Sequence, residues 1–364
     1  MFANTRKLAQ QTSQRLITGH CALVAWSTLK HAGVLDAIAA IGAEGLDPKV
    51  HAVRRNMAPD ILLTLLDYLA ATGLIAITGT RAGFTADGRA LFDHDDGVID
   101  LVRAYQPSLA AAEHLLAKLK TPVAAGGGMR KSEALLESRA RRQGPELYPA
   151  IEALVREHRF SHLLDVQCGN GELLLEMGKR IRGVVGVGIG ADDAACHRAN
   201  TAFAEAAMEK RLIAVPGAAA EVLGDTRRSF ERIGISKQLW RDLDLVILPM
   251  LFSDMVRDAE SVSALLAAAR RHFPRAGLLL IEPVEGARMG KNYYAPELSL
   301  FLRLARSPMW TGDQWREALA KARLPVSVEA PLGVDGLTLF LSKPAPAGAK
   351  AAAAGAKPAA RAAR

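Results

Sequence analysis

The chain has 364 residues, of which 50% are hydrophobic and 23% charged, so it is long enough for two domains with sizeable cores. Its three cysteines are widely spaced, which argues against a disulfide framework or a structural zinc site and favours a reducing compartment, and no apolar run reaches the ~18 residues of a membrane helix. The formal charge of +8 invites nucleic-acid binding, but residues 343–364 carry five Lys or Arg and no acid, so we predict a disordered tail and no specific nucleic-acid partner.

The N-terminal residues lack the uninterrupted apolar segment of a secretory signal, because charged side chains break it at Arg6, Lys7 and Arg15. The first acidic residue is Asp36, which leaves a transit peptide open beside the simpler interpretation, an amphipathic first helix. Together with the cysteine pattern, this predicts a cytoplasmic protein with no membrane contact.

Residues 1–98 combine helical patterns with a short hairpin pattern. Ile61–Ala71 has apolar residues at helical spacing, Gly73 is placed to end that helix, and Leu74–Thr78 has the pattern of a strand. A turn and a second short strand pattern follow. This order of helix, strand and strand is typical of a winged helix.

A winged helix also suggests DNA binding, which is an alternative function for this part of the chain. The presumed recognition helix, about residues 59–72, has no Arg or Lys and carries Asp60 and Asp67. Contacts to phosphates and base edges need cations there. The sequence therefore disfavours DNA binding.

Residues 99–159 have helical patterns around a glycine-rich loop at Pro122–Gly128, which fits either a flexible linker or the hinge of a helical lid. From residue 160 the pattern alternates between strands and helices, which predicts βαβ crossovers and an α/β fold with a mostly parallel sheet that ends in a hairpin. The seven candidate strands are His162–Val166, Val184–Ile189, Leu212–Val215, Asp244–Pro249, Gly277–Ile281, Val326–Ala330 and Leu337–Leu341. The candidate helices are 171–182, 192–210, 226–236, 257–273 and 312–322.

The turn after the first of these strands resembles a known motif. Residues 162–171 are His-Leu-Leu-Asp-Val-Gln-Cys-Gly-Asn-Gly, similar to the Asp/Glu-x-Gly-x-Gly-x-Gly motif of class I S-adenosylmethionine-dependent methyltransferases, with Gln167 at its first glycine. Residues 1–98, through the strings 65–75, 84–85 and 88–91, are similar to the N-terminal domain of the small-molecule members, including the plant-type O-methyltransferases. In those proteins that domain dimerises and covers the active site.

This resemblance implies an α/β fold with a seven-stranded Rossmann-like methyltransferase sheet and an N-terminal helical winged-helix domain. It also implies a homodimer and a small-molecule substrate. The chain would consist of a winged-helix dimerisation domain (1–98), a helical linker and lid (99–159), a methyltransferase domain (160–342) and a tail (343–364).

The resemblance further implies an S-adenosylmethionine site at the carboxyl ends of the strands. Asp165 would reach the ammonium side of the cofactor, and Gly169 and Gly171 would let the backbone approach it closely. Gln167 and Gly188 take two more of the family's cofactor positions. Met250, after the fourth candidate strand, is a further expected contact.

Three of the cofactor positions differ from the family pattern. Gln167 replaces a glycine, Gly188 stands where an acid accepts the ribose hydroxyls, and Ala218 stands where an acid lies near the adenine. Losing one charged ribose partner costs about 1.5–3 kcal/mol of binding free energy. Asp192 is an alternative ribose acid, although it is also placed to cap the next helix, and Glu221 follows Ala218 three residues late.

The catalytic prediction rests on Asp254. Residues 244–254 resemble the fourth strand and the segment after it, where plant-type O-methyltransferases have a His-Asp pair with the His as general base; here the pair is Ser253 and Asp254. Asp254 could act as base if burial raises its pKa, or it could cap the helix that begins near Arg257. Metal-binding motifs are absent, so we predict no metal. Further candidate substrate contacts are Tyr105, Gln106, His114 and residues 292–294.

Two alternatives remain. Gly186, Gly188 and Ala191 match part of a dinucleotide-binding pattern, but its glycines interrupt a strand instead of following it, so NAD binding is disfavoured. The predicted function is methyl transfer from S-adenosylmethionine to a small-molecule metabolite. The alternative, motivated by the three changed positions, is a catalytically inactive protein of the same fold that serves as partner subunit, scaffold or ligand sensor.

Overall fold

The computed structural model describes residues 2–95, 97–110, 132–224, 237–252, 259–285, 310–334 and 336–343. The chain forms two compact units, Met1–Pro145 and Glu146–Arg364. The boundary between them falls inside the segment predicted as linker and lid.

The N-terminal unit consists of helices and one hairpin. Its helices are α1 (Phe2–His31), α2 (Val34–Ile41), a 3-10 turn (Gly42–Glu44), α3 (Pro48–Arg55), α4 (Pro59–Ala71), α5 (Ala86–Asp93), α6 (Val98–Ala110) and the first part of α7 (Ser132–His158). Strands β1 (Ile75–Thr78) and β2 (Arg81–Phe84) pair antiparallel directly after α4. The predicted order of helix, strand and strand is therefore present.

The core of the N-terminal unit forms on one face of α4. Leu62, Leu66 and Leu69 are spaced by three or four residues and are all buried, which is the spacing that the helical pattern requires. They pack in one cluster with Trp26 of α1 and Ile75 of β1. The apolar periodicity of residues 61–71 thus correctly indicates which face of α4 is buried.

The C-terminal unit is a seven-stranded sheet covered by helices. Its strands are β3 (His162–Val166), β4 (Val185–Gly190), β5 (Leu212–Pro216), β6 (Leu245–Pro249), β7 (Gly277–Pro283), β8 (Val328–Pro331) and β9 (Leu337–Ser342). Its described helices, besides the end of α7, are α8 (Glu172–Arg180), α9 (Asp193–Glu205), α10 (Ala219–Gly224), α11 (Lys237–Asp242), α12 (Ala259–His272) and α13 (Gly312–Lys321).

The strand order is β5-β4-β3-β6-β7-β9-β8. Strands β3 to β7 are parallel, and β9 runs antiparallel to both β7 and β8. Because alternate residues of a strand face opposite sides, Leu164 and Val246 join one core cluster while Leu163 and Leu245 join the other. The predicted seven-stranded α/β sheet with a terminal hairpin is confirmed.

One predicted helix ends earlier than expected. The interval 192–210 contains α9, which stops at Glu205 because Ala207 adopts a left-handed conformation (φ 56°). The Met208 N–H then donates to the Phe203 carbonyl at 2.8 Å, which satisfies an otherwise free carbonyl of the last turn. The predicted helix 226–236 lies outside the described residues.

Helix α13 begins with a capping box. The Thr311 hydroxyl accepts from Gln314 N–H at 3.3 Å, and the Gln314 side chain accepts from Thr311 N–H at 2.9 Å. We expect Thr311→Val to lower the free energy of unfolding by about 1 kcal/mol, because it leaves a helix-end N–H without its acceptor. Urea denaturation measures the loss. Thr201→Val, which removes an exposed hydroxyl inside α9, is the control, and an equal loss in both variants would contradict the capping role.

None of the helices in the described part of the chain is long and apolar enough to cross a membrane.

Candidate functional site

The candidate site lies where the strand order of the sheet reverses. The chain passes from β3 outward through β4 and β5, and then returns to place β6 on the other side of β3. In open parallel sheets this point leaves a crevice at the carboxyl ends of the strands, and ligands bind there. Asp165, the turn 167–171 and Met250 all lie at the ends of β3 and β6. The structure therefore brings these predicted residues to one edge of the sheet.

Asp165 is a buried carboxyl group near the carboxyl end of β3, an inner strand of the sheet. It pairs with Gly188 of β4 on one side and Ile247 of β6 on the other, and it is 1% exposed. Burial, reinforced by the negative charge of Glu172, raises the pKa of Asp165 from its usual 3.8 to about 7. Its Oδ1 atom has no hydrogen-bond partner among the described residues. A buried carboxyl in this state favours a ligand that brings a donor or a positive charge.

The turn after β3 has the backbone of a glycine turn. Gln167, Gly169 and Gly171 all have positive φ angles, of 84°, 56° and 79°. The N–H groups of Gln167 and Cys168 both donate to the Ile189 carbonyl of β4, at 2.8 and 2.9 Å. Gln167 is thus held in a conformation that glycine adopts freely and other residues adopt at a cost of about 1–2 kcal/mol.

This strain gives a prediction for Gln167→Gly. We expect the variant to gain about 0.5–1 kcal/mol in free energy of unfolding, because relief of the left-handed strain exceeds the extra entropy of glycine in the unfolded chain. Gln167→Ala is the matched control, since it shortens the side chain and keeps the strain. Urea denaturation compares the two, and an Ala variant as stable as the Gly variant would show that the backbone is not the cause.

Gly171 requires glycine for a second reason besides its φ angle. A Cβ atom there would lie 2.7 Å from Phe203 and 2.8 Å from Ala199, both buried on α9. Gly171 immediately precedes α8, so the turn, the start of α8 and α9 pack closely together. This close packing holds the backbone of the turn beside the carboxyl end of β3.

Gly188 and Gly190 face sulfur atoms. A Cβ at Gly188 would lie 2.7 Å from both Cβ and Sγ of Cys168, and a Cβ at Gly190, the last residue of β4, would lie 2.9 Å from Cys196 Sγ and 3.5 Å from Cys168 Sγ. An acidic side chain at either position would therefore compete with the cysteines for space. Sequence reasoning missed these cysteines, because 28 positions separate them in the chain and neither belongs to a metal or redox motif.

The remaining candidates near β4 and β5 have simple roles. The Asp192 carboxylate accepts from Ala194 N–H at 3.0 Å, so it caps α9, as one of the two interpretations expected. Ala218 follows β5 and is half-buried, and Glu221 is exposed on α10. Gly188 and Ala218 therefore provide no carboxylate at this edge of the sheet.

The segment after β6 is anchored by a buried carboxylate. Met250 is 5% exposed, has φ of 49°, and donates its N–H to the Ile281 carbonyl at 2.7 Å. Phe252 N–H donates at 2.8 Å to Oε1 of Glu282, which is fully buried at the end of β7. Glu282 thereby holds the chain just before residues 253 and 254. No motif in the sequence indicates this role for Glu282.

Several predicted site residues lie elsewhere. Ser253, Asp254, His114 and residues 292–294 are outside the described residues. Tyr105 is buried in α6 of the N-terminal unit, while Gln106 is exposed and lines a cavity of about 660 Å³ between α1 and α6. His31 and Arg103 line the same cavity, with His31 Nδ1 at 2.7 Å from an Arg103 guanidinium nitrogen.

Among the residues with described positions, no three His, Cys, Asp or Glu side chains form a group that could bind a metal ion.

Comparisons with known proteins find similarity in structure and not in sequence. No protein-family model matches the chain, and no curated protein sequence matches it. Among solved structures, the mitomycin 7-O-methyltransferase MmcR is 16% identical with a TM-score of 0.63, and the match covers 94% of this chain and 100% of that one. An O-methyltransferase family protein from Burkholderia thailandensis is 16% identical with a TM-score of 0.59, covering 94% and 98%.

A third solved structure contains ligands. It is the O-methyltransferase NcsB1 from neocarzinostatin biosynthesis in complex with S-adenosylmethionine and 2-hydroxy-5-methyl naphthoic acid. It is 17% identical with a TM-score of 0.53, and the match covers 89% of this chain and 96% of that one. With the strand order described above, these matches show that the chain has the Rossmann-like fold of small-molecule O-methyltransferases.

Proposed function

We propose that the protein is an S-adenosylmethionine-dependent methyltransferase that acts on a small-molecule metabolite. The observation that carries the proposal is Asp165, a buried carboxyl without a protein partner on Oδ1 among the described residues, at the point where the sheet order reverses. One of the similar solved structures is a mitomycin 7-O-methyltransferase, and another is an O-methyltransferase in complex with a naphthoic acid. Both support a small organic acceptor.

The residues present fit one end of the cofactor well. S-adenosylmethionine, when bound, supplies a methyl group on a positively charged sulfur. Asp165 would accept from the ammonium group, and the buried, partnerless Oδ1 atom provides the acceptor. Gly169 and Gly171 would allow the backbone of the turn to approach the methionine part, and Met250 would form its apolar border. Gln167 would have to direct its side chain away from the ligand.

The ribose end fits less well. Gly188 and Gly190 offer no carboxylate to the ribose hydroxyls, and thiols fill the adjacent space. Loss of one charge-assisted partner weakens binding by about 10- to 100-fold, so we expect an affinity lower than that of a complete site. Compensation would come from the substrate, which orders the closed site around both ligands.

We assign two tasks to the residues of this chain: they position the acceptor atom, and they remove its proton. In-line transfer of a methyl group needs the acceptor atom held close to the methyl carbon, with water excluded. Asp254 is the proposed general base, because in the sequence it follows β6, whose carboxyl end lies at the proposed cofactor site. The buried Glu282 would position it by holding Phe252 N–H, two residues before Asp254.

We also propose a homodimer, formed through the N-terminal residues 1–98, in the cytoplasm. Residues 99–159 would be the linker and lid, 160–342 the catalytic domain and 343–364 a tail. Three large apolar side chains of α1 support the dimer, since Leu8, Leu16 and Ile17 are each more than 60% exposed. Light scattering of the purified chain distinguishes a dimer from a monomer.

The function is tested by product formation. The protein is incubated with S-adenosylmethionine and a panel of phenols, aromatic acids and amines, and mass spectrometry detects a methylated acceptor together with S-adenosylhomocysteine. We expect turnover of at least one acceptor class and a drop of at least about tenfold in Asp165→Asn. Binding of the cofactor without turnover of any acceptor would favour the inactive-protein alternative over the enzyme.

A further inference from the structure

Cys168 and Cys196 form a buried pair of thiols beside the turn after β3. Cys168 is 6% exposed and Cys196 is 2% exposed. Both sulfur atoms lie within 3.5 Å of the point where a Cβ of Gly190 would be. Each thiol donates to a backbone carbonyl, Cys168 to Gly169 O at 3.7 Å and Cys196 to Gly190 O at 3.6 Å.

The glycines of β4 make room for this pair. Any side chain at Gly188 would collide with Cys168, and any side chain at Gly190 would collide with Cys196. The two glycines and the two cysteines therefore fit each other, because β4 has no Cβ atoms at the points that the sulfur atoms approach. The same two glycines leave the ribose end without an acid, so this edge of the sheet accommodates a thiol pair in place of a carboxylate.

The two thiols differ in acidity. The neighbouring Cys168 lowers the pKa of the Cys196 thiol, whereas the neighbouring Cys196, together with burial, raises the pKa of Cys168. The thiolate is the reactive form of a cysteine, so Cys196 is the nucleophile of the pair and Cys168 its partner. A lower-pKa cysteine next to a second cysteine that can resolve its sulfenic acid is the arrangement of a reversible dithiol.

We propose that Cys168 and Cys196 form a reversible disulfide, and that this pair is a redox modification site for peroxide. The Cys196 thiolate attacks one oxygen of hydrogen peroxide, the O–O bond breaks, and the products are a sulfenic acid and hydroxide, which takes up a proton to become water. The Cys168 sulfur then attacks the sulfenic sulfur, the S–O bond breaks, and a second water leaves with the Cys168 proton. Two thiols are oxidised by two electrons, and the peroxide is reduced to two waters.

The disulfide has a consequence that rests on the proposed function. The bond would connect the turn 167–171 to the first turn of α9, and the turn is the part whose backbone is proposed to approach the cofactor. An S–S bond is about 2.05 Å long, so the two sulfurs must approach each other, and the bond would then tie the turn to α9. The oxidised protein therefore binds S-adenosylhomocysteine more weakly than the reduced protein.

Disulfide formation is tested first, on the full chain carrying Cys21→Ser. Cys21 is exposed and would otherwise join two molecules. The protein is treated with hydrogen peroxide, unfolded, and alkylated. We expect a product lighter by two hydrogen atoms that takes up no alkylating reagent, a cross-linked peptide containing both cysteines, and full reversal by dithiothreitol. Two thiols that remain alkylatable, or that oxidise independently to sulfinic acids, would overturn the proposal.

Single variants test the order of events. In Cys168→Ser the Cys196 sulfenic acid has no resolving thiol and is trapped by dimedone; in Cys196→Ser, Cys168 reacts with peroxide at least tenfold more slowly. Equal rates in the two variants would overturn the assignment of Cys196 as nucleophile. Titration of the reduced and oxidised forms with S-adenosylhomocysteine then tests the regulation. Equal affinity of both forms would refute the regulatory effect, whereas binding by neither form would count against the proposed function and leave the disulfide result intact.

Discussion

Gly188→Asp is expected to lower the free energy of unfolding by about 4 kcal/mol. The new Cβ would lie 2.7 Å from Cβ and Sγ of Cys168 and 3.2 Å from Leu174, so the side chain overpacks a buried part of the sheet. The carboxylate would also lose water next to Asp165, its neighbour in the register of β3 and β4. This substitution would add an acid at the proposed ribose end of the cofactor site, and the packing explains why the side chain of Cys168 must be removed as well.

The second change is Cys168→Gly, and a double-mutant cycle measures its effect. We expect the two substitutions together to cost less than the sum of their separate costs, with a coupling free energy of about 2 kcal/mol, because removing the Cys168 side chain frees the space. Ala191→Asp, an exposed position just after β4, is the control for adding a charge and should change stability by less than about 0.5 kcal/mol. Additive costs in urea denaturation would contradict the steric explanation.

Asp165→Asn is expected to change the pH dependence of stability. The folded-state pKa of about 7 exceeds the unfolded value of 3.8, so between these values the folded chain binds more protons than the unfolded chain. The contribution of Asp165 to the free energy of unfolding of the wild type therefore falls as pH rises from about 4 to about 7, by an amount on the order of 4 kcal/mol. Above pH 7 this contribution is constant. The asparagine variant carries no such term, so at pH 8 it should be the more stable protein.

The measurement is urea denaturation of both proteins from pH 4 to pH 8. The quantity to follow is the difference in unfolding free energy between variant and wild type, because other titrating groups cancel in it. A flat difference for Asp165→Asn would mean that its carboxyl is not held protonated by burial.

Much of the fold could be predicted because strands and helices leave local patterns. The strand His162–Val166 was placed to the residue, since an apolar run there is followed at once by the glycine turn. The hairpin of β8 and β9 was placed within two residues. The end of α9 was not, because Ala207 has no sequence feature of a helix end, and its left-handed conformation goes with backbone hydrogen bonds formed after the helix, from Met208 N–H to the Phe203 carbonyl and from Leu212 N–H to the Met208 carbonyl.

The candidate site could be predicted from the sequence only where its residues are local in sequence. Asp165 and the turn glycines lie within seven residues, so one motif suggests them together. The pair Cys168 and Cys196 required the register of β3 against β4 and the start of α9, which the sequence does not specify. Likewise, the role of Glu282 depends on contact between the ends of β6 and β7, 30 residues apart in the chain. Residues that meet only through the sheet order leave no motif.

The most direct test of the central claim is calorimetric titration of the reduced protein with S-adenosylhomocysteine, for the wild type and for Asp165→Asn. We predict binding with a dissociation constant between about 10 µM and 1 mM, and a loss of at least about tenfold in the variant, since the carboxylate supplies a charge-assisted acceptor for the ammonium group. The absence of heat up to about 1 mM with folded wild-type protein, or equal affinity in the variant, would contradict the proposed cofactor site.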